Sequence, residues 1–119
     1  MPPTLADRVS HILQAIEEIE RAVAGRTFDT FAADRFLRLG IERLLEIVCE
    51  AARHIPSHVK TEETSIAWHK MDDFGNRLRH AYHNVDATIV WNIIDDDLPA
   101  LKVFVKRIIS DEERRKGGE

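Results

Sequence analysis

The chain has 119 residues, 44% of them hydrophobic and 32% charged, with only 5 Gly and 4 Pro and a formal net charge of −4. That length supports one hydrophobic core and not two, and the composition excludes a disordered chain. The acidic balance argues against a general nucleic-acid coat protein, which would be basic overall, but leaves room for RNA contact through a local basic cluster.

The first helix is expected behind Thr4, which can cap it in a variant capping box with Asp7. Leu5, Val9, Ile12, Ile16, Ile19 and Val23 follow at spacings of 4, 3, 4, 3 and 4, the stripe of a helix packing along other helices. Gly25 stops it from a left-handed position. Asp29 or Thr27 can cap a second helix running to about Ile55, where Pro56 ends it. Leu37, Ile41, Leu44, Val48 and Ala51 form its stripe, and Phe36, Leu45 and Ala52 widen it. So broad an apolar arc predicts two partners, one of them a second copy of the chain. Gly40 inside this helix predicts a close helix contact.

Residues 56–65 are polar and read as a loop. Periodicity returns at Ile66, Trp68, Met71, Phe74, Leu78, Ala81, Tyr82 and Val85, a third helix in which Gly75 is a second candidate for close packing. Asp86 can cap a short helix holding Ile89, Val90, Ile93 and Ile94. Asp95, Asp96 and Asp97 before Pro99 read as one helix ending and another starting, with Leu98, Leu101, Val105 and Ile108 on its core face. The expected fold is all-α, an antiparallel four-helix bundle with one additional short helix. A single domain over residues 1–110 and a charged flexible tail over 111–119 are expected. Cys49, the only cysteine, falls in an apolar helical pattern and reads as a small core residue of a reduced, cytoplasmic protein. Met1-Pro2-Pro3-Thr4 does not resemble a secretory leader, and no apolar run approaches membrane-spanning length.

The densest chemistry lies between Phe74 and Asp86, which brings together two Arg, two His, two Asn and the only Tyr. On a helix, Asn76, Arg77, His83 and Asn84 share the face of His80, with Arg79 about 100° to one side. A cation, an amide and an imidazole together can hold a phosphate and move a proton; the same residues also fit a solvated polar face. No metal site is expected, because Pro56 separates His54 from His58 and no carboxylate stands four residues from His80 or His83. Neither Cys49 nor Ser57 or Ser65 belongs to a recognisable nucleophile motif.

The chain resembles the HepT-like branch of the HEPN-domain proteins, the toxin half of HepT–MntA toxin–antitoxin pairs. The resemblance rests on residues 12–20 and 45–52, on Trp68, on Asn76-Arg77-Leu78-Arg79-His80-Ala81-Tyr82, and on Val90-Trp91-Asn92-Ile93-Ile94 followed by Asp97-Leu98-Pro99-Ala100-Leu101. It implies a HEPN-like bundle that forms a homodimer and acts as a metal-independent ribonuclease without a cofactor, cutting tRNA or mRNA in a cleft between two copies. By the same resemblance His80 is the catalytic His and Asn76 the polar residue of the motif. Tyr82 is where an MntA-like nucleotidyltransferase antitoxin attaches AMP. His83 and Asn84 are candidate substrate contacts. The position five before His80, Arg in the family, is Gly75 here, so Arg77 or Arg79 is left as the phosphate-holding cation. The alternative function is a catalytically silent HEPN module that binds a nucleotidyltransferase partner or a nucleotide.

Overall fold

A computed structural model describes residues 3–80 and 85–117, which are helical with short connections and contain no strand. The helices are α1 (Leu5–Val23), α2 (Phe28–Ala33), α3 (Arg35–Arg53), α4 (Ser57–Lys60), α5 (Trp68–His80), α6 (Ala87–Asn92) and α7 (Leu98–Gly117), with a π-helical turn over Ile93–Asp97. The fold is an all-α bundle in which α1 packs on α3 and α7, and α3 also packs on α5. No described helix is long and apolar enough to cross a membrane.

The expected capping box starts α1: Thr4 Oγ1 accepts from the Asp7 amide at 3.1 Å, and Asp7 Oδ2 accepts from the Thr4 amide at 2.9 Å. Val9, Ile12, Ile16 and Ile19 are completely buried. Gly25 ends the helix at φ +74°, where a Cβ would be strained.

The single helix expected up to Ile55 is two helices. Asp34 lies in the extended region and its carboxylate accepts from the Leu37 amide at 3.0 Å, so it caps α3 instead of continuing α2. The break turns α2 across α6, where Phe31 packs on Trp91 with ring centroids 5.1 Å apart. Part of the expected loop after Pro56 is the single turn α4. The third helix begins at Trp68, later than Ile66. Trp68 Nε1 donates to the carbonyls of Lys60 and Glu63, both at 3.2 Å, and its ring meets Phe104 edge-on at 5.2 Å.

The acidic run before Pro99 does not end a helix. The Leu98 amide donates to the Ile93 carbonyl five residues back, and the wide turn carries α6 into α7. Pro99 lacks an N–H for the regular ladder, and the π turn accommodates that loss within a continuous helical path. Residues 111–117, expected to fray, are helical, with Arg115 bonded to Glu112 at 2.6 Å.

The two interior glycines differ. A Cβ at Gly75 would stand 2.7 Å from Cys49 Cβ, so α3 and α5 approach as closely as they do because the residue is Gly. Gly40 has nothing within 4 Å of its would-be Cβ, which corrects the expectation of a close contact within the chain. It is exposed beside Phe36, 85% exposed, and Leu39, 44% exposed.

Candidate active site at the end of α5

Core packing orients α5. Met71, Phe74 and Gly75 are buried and Leu78 half-buried, so Asn76, Arg77, Arg79 and His80 are left exposed on the remaining arc. The two arginines diverge around the core stripe. Arg77 borders a groove of about 320 Å³ with Phe74, Ile89 and Ile93, toward α6. Arg79 turns the other way, toward α3. Its Nη1 donates to Glu50 Oε2 and its Nη2 to Asn76 Oδ1, each at 3.2 Å. These bonds leave the Asn76 amide NH2 as a donor and fix a guanidinium one residue before His80.

Glu50 ties this arrangement to α3. Its carboxylate also accepts from Arg53 Nη2 at 2.9 Å and meets His54 Nε2 at 3.1 Å. The Arg53 hydrogen bond, reinforced by His54, holds its carboxyl down at about 2. Next to this cluster, burial pushes the Cys49 thiol up to about 12, so Cys49 is an un-ionised packing residue and not a nucleophile.

Arg79 stands at the edge of an open cleft of about 410 Å³ between α1, α3 and α5. Arg8 and His11 reach it from α1, and Arg43, Glu46, Glu50 and Arg53 line it from α3. Sequence reasoning missed these residues as a site. The available signal was the α3 series Arg43, Glu46, Glu50, Arg53, spaced 3, 4 and 3 and therefore one stripe.

The structure thus joins Asn76 and Arg79 by a hydrogen bond near the end of α5, leaves His80 exposed as the next residue, and sets Arg77 on the other flank of the helix. Tyr82, His83 and Asn84, the expected AMP acceptor and substrate contacts, lie outside the described residues. Among the described residues no group of three His, Cys, Asp or Glu side chains is placed to hold a metal ion.

Comparisons with known proteins agree with one another. The family described as "Ribonuclease HepT-like" matches residues 12–108. The chain is 34% identical to the "Probable ribonuclease HepT" of Thermococcus cleftensis, over 81% of this chain and 87% of that one. It is 30% identical to a "Putative RNase" of Caldanaerobacter subterraneus subsp. tengcongensis, over 88% of this chain and 94% of that one. It is also 28% identical to a "Gamma-glutamylcyclotransferase and putative RNase" of Methanocaldococcus jannaschii, over 93% of this chain but only 50% of that longer protein. No solved structure matches the chain. With a bundle of the expected class and a family match that spans most of its length, the chain belongs to the HepT-like ribonuclease family.

Proposed function

We propose that this chain is the toxin of a type VII toxin–antitoxin pair, a metal-independent endoribonuclease acting in the cytoplasm on tRNA or mRNA. In this reading the 2′-hydroxyl of RNA attacks the adjacent phosphorus and the 5′-oxygen leaves, so a 2′,3′-cyclic phosphate forms. His80 handles the proton lost by the 2′-hydroxyl or the proton gained by the leaving oxygen, and no metal is needed. Two copies pair across the exposed face of α3, where Phe36 and Leu39 are left uncovered, and together they bound the cleft. An MntA-like nucleotidyltransferase silences the enzyme by adenylylating Tyr82.

The observation that carries the proposal is the position of Arg79. It lies one helical turn beyond Gly75, about 40° around α5 from the family's Arg position, whereas Arg77 is about 160° away. Arg79 is therefore the cation that faces the same edge, with Asn76 orienting it and His80 following it. It stabilises the charge that builds on the pentavalent phosphate. The test is cleavage of a tRNA pool in EDTA by the unmodified chain and two single variants. Arg79→Ala should lose about 10²-fold or more, the scale of one transition-state donor, and Arg77→Ala should stay within a few fold. The opposite ranking would transfer the role to Arg77.

The second reading, a silent module that binds a nucleotidyltransferase or a nucleotide, draws on Gly75. That position is closed against Cys49, so the cation of the family motif is absent there. Its signature would be a chain free of AMP that binds its partner and cuts no RNA.

A further inference from the structure

The cleft beside Arg79 holds a concentration of charge of which the site at the end of α5 uses only Arg79. Four guanidiniums, from Arg8, Arg43, Arg53 and Arg79, face two carboxylates there, so a positive locus stands on a chain of net charge −4. The pairing is partial. Arg43 reaches Glu46 at 3.0 Å with 68% of its side chain still exposed, and Arg53 and Arg79 share Glu50. Arg8 has no ion pair among the described residues, and the exposed His11 sits beside it in the cleft. Arg43 and Arg53 are ten residues apart on α3, roughly 15 Å along the helix, a span that fits a short run of backbone better than one phosphate. No Phe, Tyr or Trp lines the cleft among the described residues, and the one ring there is the His11 imidazole, so it offers mainly charge and little stacking surface for bases.

We infer that this cleft is a subsite for the phosphodiester backbone of single-stranded RNA, in which Arg8 and Arg43 hold the strand that leads to Arg79. The inference rests on the ribonuclease reading and adds where its substrate lies. Contacts of this kind are sequence-tolerant and strongly salt-dependent, because each neutralised phosphate releases counterions. Base preference then comes from elsewhere in the dimer or its partner.

The test is fluorescence anisotropy with a 2′-O-methyl oligoribonucleotide, which lacks the nucleophilic hydroxyl and so reports binding without cleavage. The parent is compared with Arg8→Ala/Arg43→Ala, both changes on helix surfaces, and with Lys106→Ala, an exposed cation on α7 outside the cleft. Circular dichroism checks that each variant is folded. The double variant should bind about 10-fold or more weakly, and its slope of log K against log salt should fall by about 1.4 for two lost single-strand contacts. Lys106→Ala should change neither. An unchanged affinity and slope in the double variant would overturn the subsite, and so would a parent that does not bind the strand, in which case an acidic protein surface becomes the ligand for this charge. The two readings fail separately. Cleavage that needs His80 but not the cleft would remove the subsite and keep the ribonuclease, whereas cleft-dependent binding without any cleavage would do the reverse.

Discussion

Gly75 shows how one residue can serve packing at a position where the family uses a charge. Its missing Cβ lets α5 settle against Cys49 of α3, and that contact sets how near Arg79 comes to Glu50. Gly75→Ala should therefore destabilise the fold by about 1–3 kcal/mol, the usual range for overpacking, even though Ala is the better helix former. Urea unfolding followed by circular dichroism measures it; a stabilised variant would mean that the two helices are free to part. Gly75→Arg should not restore the family's cation, because the side chain would start inside the α3 contact. Close packing at Gly75 was legible in the sequence, since a glycine in the middle of a helix asks for a neighbour. The same reasoning failed at Gly40, where an added Cβ would meet nothing within 4 Å. That Arg77 and Arg79 border different clefts was not legible from spacing to His80 alone. It follows from where the core stripe of Met71, Phe74 and Gly75 points, which places Arg77 and Arg79 on opposite flanks.

Between elements, Glu50 is the polar link from α3 to α5, and it makes the link sensitive to pH. Its carboxyl is held at about 2, below its ordinary 4.5, chiefly by the hydrogen bond from Arg53. A lowered folded value means that its stabilisation is complete above the ordinary value and is lost as pH falls from about 4.5 toward 2. The Tm gap between the parent and Glu50→Gln should be widest near neutrality and close across that acid window. Because the side chain is 40% exposed, the gap should also shrink in high salt. A gap independent of pH would show that the carboxylate charge is not what joins the helices. The principal helices were legible because their apolar stripes run unbroken through α1, α3, α5 and α7. The joints were harder. Asp34 suits both a wet helix position and a cap, and only its extended backbone decides for the cap. Three aspartates before a proline resemble a helix stop, yet one five-residue turn carries the chain through.

At the scale of the whole molecule, the bundle buries its core but leaves Phe36 and Leu39 in solvent next to Gly40, and Val103 in solvent on α7. In the proposed dimer a second copy seated there would bury these residues. Phe36→Asp/Leu39→Asp should run as a monomer by light scattering, retain its helical content and lose cleavage. A variant that remains dimeric would move the interface to another face. The broad apolar arc of this helix was visible in the sequence; that Phe36 and not Leu45 remains outside was not, because it depends on the break at Asp34.

In the proposed reaction His80 and its neighbours cut RNA without metal. The most direct measurement is cleavage of a tRNA pool in EDTA by the parent and by His80→Ala, with Tyr82 verified as unmodified by mass spectrometry and the product ends identified. The parent should leave 2′,3′-cyclic phosphate ends, and the variant should lose about 10²–10⁴-fold in rate, the scale of one general acid–base group. No cleavage by an unmodified parent, or equal cleavage by both proteins, would contradict the proposed reaction.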